Sequence, residues 1–100
     1  MATNDRRPIH PGEILREEFL APLDMSANAL ALAFKVPAPR INDIVREKRA
    51  VTPDTALRLA RCFGTTPEFW LNLQTAYDLR RTRHESGATI EREVTPRVAA

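Results

Sequence analysis

Apolar residues recur at helical spacing in five separate stretches of this chain, and alternation with a period of two is almost absent before residue 88. Intervals of three and four residues place apolar side chains on one face of a helix. Glycines are few, and most of the prolines lie at the boundaries of these stretches. The pattern therefore predicts an all-α fold of five short helices.

The predicted helices open on recognisable start signals. Pro11 suits a first helical position because it has no N–H to leave unsatisfied, and Ser26 is a good N-cap for the second helix. The third helix is expected over residues 37–47. The fourth and fifth begin with the same device, Thr52-Pro53-Asp54 and Thr66-Pro67-Glu68, which combines a cap, a proline and an acid near the positive helix end. The inward faces are predicted to carry Ile14, Leu15, Phe19, Ala27, Leu30, Ala31, Phe34, Ile41, Ile44, Val45, Ala56, Leu57, Ala60 and Phe63.

Proline and glycine residues also predict where the helices end. Pro22 is expected to stop the first helix around Ala21, and Gly64 is a strong stop for the fourth. The fifth helix is expected to reach about Arg83. We therefore expect a flexible N-terminus over residues 1–9, a folded domain over 10–83, and a tail over 84–100 that is either disordered or forms a short strand at 89–94.

Composition narrows the class of protein. The chain has 100 residues, a net charge of +2, 43% hydrophobic residues and 28% charged residues, as in an ordinary small globular domain. Cys62 is the single cysteine, which excludes an internal disulfide and a thiol cluster for zinc. No apolar run is long enough to span a bilayer, and residues 1–7 lack the apolar core of a secretory signal. We expect a cytoplasmic protein that is not an enzyme, with no catalytic residues, cofactor, metal or membrane partner.

The informative segment runs from residue 26 to residue 49, where two short helices are separated by a break of three to four residues. Leu30 and Ile41 are eleven residues apart, the interval expected between the two key buried positions of a helix-turn-helix. Ala31 is small enough for the second helix to cross the first, and Val36 is placed to seal the corner. This spacing predicts a helix-turn-helix.

The free face of the second of these helices is positively charged. Residues 35–49 contain five basic and two acidic residues, a local charge of +3 that exceeds the charge of the whole chain. Arginine can pair with guanine and asparagine with adenine in the major groove, while lysine and arginine at a helix end suit phosphates. The face therefore favours DNA binding; the alternative is an amphipathic helix pair with a solvated charged face.

About seventy residues resemble the phage-repressor-like (XRE, Cro/C1-type) helix-turn-helix family, and in particular the HigA-type, or VapI-type, antitoxins. The blocks that carry this resemblance are His10-Pro11-Gly12-Glu13-Ile14-Leu15, Glu18-Phe19-Leu20, Ala38-Pro39-Arg40-Ile41-Asn42-Asp43-Ile44, Thr52-Pro53-Asp54-Thr55-Ala56-Leu57-Arg58-Leu59-Ala60, Phe63-Gly64-Thr65-Thr66-Pro67-Glu68-Phe69-Trp70-Leu71-Asn72-Leu73-Gln74 and Tyr77-Asp78-Leu79.

The resemblance implies a homodimeric autorepressor that binds double-stranded operator DNA and neutralises a RelE-like (HigB-type) ribonuclease toxin. It also implies base contacts from the start of the third helix. One departure is Lys35, which stands where the turn often carries a glycine, so that a positive φ would strain it. The candidate DNA-binding residues are Ser26, Lys35, Ala38, Pro39, Arg40, Asn42, Asp43, Arg46, Lys48 and Arg49.

An aromatic and apolar stripe in the fifth helix is interpreted as core or dimer interface rather than a cofactor-stacking box, and the resemblance implies dimerisation through this region. His10 and Glu13 are interpreted as a helix start rather than a metal pair, since no third ligand lies in sequence reach. His84 is expected at a solvated helix end, and Cys62 to be partly buried. The candidate interface residues are Phe69, Trp70, Leu73 and Tyr77.

Two other functions remain open from the sequence. One is a stand-alone regulator of the same fold that has no toxin partner. The other is a helical protein–protein module, or a small enzyme subunit, that does not bind nucleic acid. The second of these predicts that any affinity for DNA is weak, non-specific and abolished by modest salt.

Overall fold

The computed structural model describes residues 7–98, which form five helices and no strand. Helix α1 covers residues 11–23 in three consecutive segments, Pro11–Ile14, the π-helical Leu15–Leu20 and Ala21–Leu23. The other helices are α2 (Ala27–Phe34), α3 (Ala38–Val45), α4 (Pro53–Phe63) and α5 (Pro67–Glu93). The predicted all-α class is confirmed, and α2 and α3 form the predicted helix-turn-helix.

The predicted start signals act as helix caps. The Ser26 hydroxyl oxygen accepts a hydrogen bond from the backbone N–H of Ala29 at 3.0 Å. Thr52 and Thr66 cap α4 and α5 in the same way, with N–H donors three residues further on. His10 caps α1, because its Nδ1 accepts from the N–H of Gly12 at 2.8 Å. Each cap satisfies one of the backbone donors that a helix start leaves without an intrahelical partner.

The core lies where all five helices meet, and most of its residues were predicted. Leu15, Leu30, Ile41, Ile44 and Trp70 are completely buried. The exception is on α4. The prediction that Leu57 is buried is wrong, since 60% of it is exposed, and the face that packs inward carries Thr55, Ala56 and Leu59 instead. Positions 55, 56 and 59 share one side of a helix, whereas position 57 lies about 100° further round.

Helix α1 does not stop at Ala21 as predicted but continues through Leu23. Its middle is π-helical, and the N–H of Ala21 bonds to the carbonyl of Arg16, five residues back. Pro22, which has no N–H to donate, is therefore accommodated in the last turn. Asp24 then ends the helix in the left-handed conformation, with φ of 53°.

Helix α5 is ten residues longer than predicted, so that the expected tail or strand over residues 84–93 is wrong. Extending an existing helix carries no nucleation cost, and a single glycine such as Gly87 costs only about 1 kcal/mol. The helix ends at Glu93, and Val94 is extended. Pro96 disfavours helical geometry at the residue before it, which accounts for the stop. The predicted flexible residues 1–6, and residues 99–100 of the tail, lie outside the described part of the chain.

None of the helices within residues 7–98 combines the length and apolar character that crossing a membrane requires.

Candidate nucleic-acid interface

The corner between α2 and α3 has the geometry that the sequence predicts. Leu30 and Ile41 are both fully buried, and Ala31 is 2% exposed where the two helices cross. Lys35 ends α2 in the left-handed region, with φ of 61°. A residue with a Cβ incurs about 1–2 kcal/mol there, so the strain anticipated for lysine is present. The strained turn places the Lys35 side chain in solvent, beside the start of α3.

A shallow groove runs along the outward face of α3. It is lined by Asn28 of α2 together with residues of α3 and its C-terminal end, namely Ala38, Pro39, Asn42, Asp43 and Arg46. The Asn42 side-chain amide donates to Asn28 Oδ1 at 2.7 Å and to the carbonyl oxygen of Ala38 at 3.0 Å. Asn28 was missed by sequence reasoning. Its only signal was a polar residue in the first turn of α2, two residues after the cap.

The five cations of this region fall into two groups. Lys35, Arg46 and Lys48 are exposed and have no side-chain partner in the described part of the chain. Arg40 and Arg49 are ion-paired, Arg40 with Asp54 at 2.6 Å and Arg49 with Asp43 at 3.3 Å. The unpaired cations are therefore available to an anionic ligand without breaking an intramolecular contact.

The start of α2 offers a different kind of anion contact. Ser26 is exposed, and its oxygen is engaged by the Ala29 N–H, which leaves the hydroxyl hydrogen free to donate outward. This position lies at the positive end of the α2 dipole. A phosphate contact at Ser26 stays a prediction, and the free hydroxyl hydrogen is compatible with it.

Helix α1 supports the far end of α3, a contact that sequence reasoning did not identify. A Cβ added to Gly12 would lie 1.8 Å from the carbonyl oxygen of Ile44, so only glycine permits this close approach. Arg16 donates hydrogen bonds to the carbonyl oxygen of Val45 and, at 3.4 Å, to the carboxylate of Glu47. Glu47 itself is left-handed, with φ of 64°. These contacts fix the C-terminal end of the helix whose face lines the groove.

His10 caps α1, as the sequence predicts. It is 3% exposed, its Nδ1 is engaged by Gly12, and its ring packs edge-on against Tyr77 with centroids 4.7 Å apart. Burial lowers the pKa of its imidazole below the ordinary value, so the neutral, hydrogen-bond-accepting form is favoured. Glu13 is paired with Arg7 at 2.7 Å. Residues 7–98 contain no cluster of three potential metal ligands.

The sequence also predicts the solvent exposure of Cys62 and His84, and the two predictions have different outcomes. Cys62 is exposed, so the expectation that it is partly buried is wrong. Cys62 lies in the last turn of α4, three residues after the buried Leu59. His84 is exposed on α5, as predicted for a solvated position, but it lies inside the helix and not at its end.

The four predicted interface residues do not share one environment. Trp70 is wholly buried, and its indole N–H donates to the Thr65 hydroxyl at 2.7 Å. Its assignment to a dimer interface is therefore wrong, because it has no surface left for a partner. Phe69 is 39% exposed, and Leu73 and Tyr77 are half-buried. Sequence periodicity does not separate these cases, since all four share a helix with a continuous apolar stripe.

Comparison with known proteins agrees with this geometry. A family model described as helix-turn-helix matches residues 15–70. Virulence-associated protein I of Dichelobacter nodosus is 57% identical over 82 residues, which cover 82% of this chain and 76% of that protein. The structure of Pseudomonas aeruginosa antitoxin HigA with the higBA promoter superposes with a TM-score of 0.89 and 53% identity, over 92% of this chain and 100% of that one. Antitoxin GraA in complex with its operator gives a TM-score of 0.88 and 56% identity, over 93% of this chain and 94% of that one.

The chain belongs to the helix-turn-helix family. Its structural neighbours include HigA and GraA antitoxins, and its relatives include helix-turn-helix transcriptional regulators. The family is one of DNA-binding antitoxins and regulators and not a class of enzymes.

Proposed function

We propose that this protein is a DNA-binding antitoxin that represses its own operon. The observation that carries the proposal is the outward face of α3, where the unpaired Arg46 lines a groove next to a helix-turn-helix corner. Two neighbours with more than 50% identity bind a promoter or an operator through the same fold. A repressor acts where the chromosome is, so we place the protein in the cytoplasm.

In this proposal α3 lies in the major groove. Arg40 in its first turn and Arg46 just after its last residue contact bases, with Asn42 and Asp43 between them. Arginine suits the O6 and N7 acceptors of guanine. An asparagine amide suits adenine, and Asn42 reaches one only if it exchanges a hydrogen bond to Asn28 or Ala38 for the base. Ala38 and Pro39 are apolar, so their contacts are limited to thymine methyl groups and the sugar edge.

Other side chains hold the DNA backbone. Ser26, Lys35 and Lys48 flank α3 on both sides and are placed for phosphates. Arg49 joins them only if it exchanges its ion pair with Asp43 for a phosphate. Such contacts set the register of a protein on DNA without reading its sequence.

A homodimer is the second part of the proposal. The far half of α5 leaves Leu79 and Ile90 about half exposed, and these positions fall on one side of the helix together with Gly87. Pairing two such stripes would bury the apolar surface of both. A two-fold dimer would present its α3 helices to successive major grooves, roughly 34–36 Å apart.

The DNA-binding proposal is tested by titrating labelled DNA from upstream of the operon in a gel-shift or anisotropy assay. We expect Arg46→Ala to weaken operator binding by at least about fivefold, as for the loss of a base or phosphate contact. Arg92→Ala is the matched control, because it removes one arginine from the far end of α5. The proposal fails if the wild-type protein binds no operator at moderate salt, or if both variants bind alike.

The third part is a partner toxin, a RelE-like (HigB-type) ribonuclease that this chain would hold inactive. The antitoxin neighbours support this assignment. Co-expression with the adjacent reading frame is expected to restore growth and to yield a complex that co-purifies. If neither occurs while operator binding persists, the protein is a stand-alone regulator. If DNA binding is weak and lost at modest salt, it is a helical protein–protein module.

A further inference from the structure

Three helices of the DNA-facing side are joined through one carboxylate. Asp54, in the first turn of α4, accepts a hydrogen bond on Oδ2 from the Arg40 guanidinium at 2.6 Å and from Arg58 Nε at 2.8 Å. Arg58 in turn donates to the carbonyl oxygen of Phe34, the last residue of α2, at 2.6 Å. The end of α2, the start of α3 and the start of α4 are therefore tied together at this point.

The ion pair with Asp54 orients the Arg40 side chain but engages only part of its guanidinium group. Only its Nη1 contacts Asp54, and Nε and Nη2 have no hydrogen-bond partner within residues 7–98. A guanidinium is planar, so holding one edge fixes the direction in which the remaining N–H groups point. The side chain is 31% exposed, which leaves these donors accessible.

We propose that Asp54 is a positioning residue that orients Arg40 for base recognition, so that it increases selectivity for the operator over other DNA. This inference rests on the proposed DNA-binding function. It assigns to α4, outside the helix-turn-helix itself, a part in sequence discrimination.

The charge of Asp54 explains why the effect falls on selectivity and not on overall affinity. A carboxylate near the DNA-facing surface repels phosphates whatever their sequence, so it lowers non-specific binding. An arginine held at one edge loses less rotational freedom when it pairs with the correct base. Arg58 and Arg40 lower the pKa of the Asp54 carboxyl below its ordinary value, so it remains ionised wherever DNA binding is measured.

The test compares Asp54→Asn with a control at the equivalent position of the next helix. Thr66-Pro67-Glu68 repeats the Thr52-Pro53-Asp54 start, but Glu68 has no ion pair in the described part of the chain. Glu68→Gln therefore removes the same helix-start charge without releasing an arginine. Affinities for operator DNA and for a scrambled duplex of equal length are measured at one salt concentration. Their ratio is insensitive to partial unfolding, because the unfolded fraction reduces both affinities equally.

We expect Asp54→Asn to reduce the operator-to-scrambled affinity ratio about tenfold, within the range for one base-reading contact, while affinity for the scrambled duplex stays equal or rises. Asp54→Glu should restore part of the ratio, and Glu68→Gln should leave it within about twofold of wild type. In an Arg40→Ala background, Asp54→Asn should change the ratio no further, because the positioned side chain is gone.

Two results would overturn the inference. One is an unchanged ratio in Asp54→Asn when the wild-type protein discriminates clearly. The other is an equal loss with and without Arg40, which would show that Asp54 acts on the fold alone. If the wild-type protein does not discriminate between the two duplexes, the proposed DNA-binding function itself fails, which is a distinct outcome.

Discussion

The two halves of α5 belong to one continuous helix but have opposite environments. In the first half, residues 67–78, Trp70 is fully buried and Gln74 is 7% exposed, and both contact other elements. In the second half, residues 79–93, Leu79 and Ile90 are about half exposed. The first half is part of the core, whereas the second half extends beyond it.

This contrast shows that the length of a helix and its burial are decided separately. The first half is stabilised by tertiary packing, which supplies most helical stability in proteins. The second half is a continuation, and its apolar side chains do not pack against the core cluster within residues 7–98. The stability of the fold should therefore depend strongly on the first half and weakly on the second. Formation of the proposed homodimer should depend strongly on the second half and weakly on the first.

Trp70→Ala should give the largest effect. The indole fills the core beside Phe19, with ring centroids 5.1 Å apart, so truncation leaves a large cavity. We expect a loss of about 3–5 kcal/mol in the free energy of unfolding, measured by denaturant titration. Phe69→Ala is the control, because Phe69 is the exposed neighbour and should cost about 1 kcal/mol. Equal losses in the two variants would contradict the assignment of Trp70 to the core.

Gln74→Ala should give the second-largest loss in the free energy of unfolding. The Gln74 Oε1 accepts from the buried N–H of Val51 at 2.8 Å, so the variant leaves that donor without a partner. We expect a loss of about 1–3 kcal/mol by thermal or denaturant unfolding. Asn72→Ala, an exposed substitution on the same helix, should stay within about 0.5 kcal/mol of wild type. A Gln74 variant as stable as the Asn72 variant would mean that the loop containing Val51 does not depend on α5.

Protonation of His10, which packs on Tyr77 of the first half, should have a smaller effect that depends on pH. Burial lowers the pKa of the folded-state imidazole below 6.5, an effect that Glu47 and Asp78 oppose and Arg81 reinforces. The unfolded chain therefore binds the proton more readily. The contribution of neutral His10 to the free energy of unfolding is complete above pH 6.5 and decreases as pH falls through the folded-state pKa. We expect the stability difference between wild type and His10→Asn, measured by denaturant titration at a series of pH values, to shrink on acidification. A difference that does not change with pH would contradict this assignment.

Ile90→Glu should have the smallest effect on the fold, within about 0.5 kcal/mol of wild type, because the side chain is already half exposed. In the proposed dimer the same change buries two carboxylates, so light scattering should show a monomer at concentrations where wild type is dimeric. Arg92→Glu, on the opposite side of the helix, should remain dimeric. Dimers in both variants would place the interface elsewhere on the protein.

Much of the fold follows from local signals in the chain. The caps at Ser26, Thr52 and Thr66 and the interval between Leu30 and Ile41 depend on residues close in sequence, and the structure confirms them. The ends at Leu23 and Glu93 were missed. A proline or glycine near a helix end raises the free energy of the next turn without forbidding it.

The candidate site also has features that the sequence predicts and features that it does not. The cations from Lys35 to Arg49 are visible in the sequence, because they fall within one segment of 15 residues. The pairing of Arg40 with Asp54, fourteen residues away, and the support of α3 by Arg16 are not, because they depend on how the helices pack. Periodicity also does not separate the buried Trp70 from the half-exposed Phe69 beside it.

The sequence by itself determined that this is an all-α protein with a helix-turn-helix and a local excess of positive charge. Those properties come from residue type and spacing, which act over a few residues. The tertiary structure alone decided which cations are free and which apolar faces are covered. Both depend on side chains from different helices competing for the same contacts, and that competition is resolved only when the helices pack.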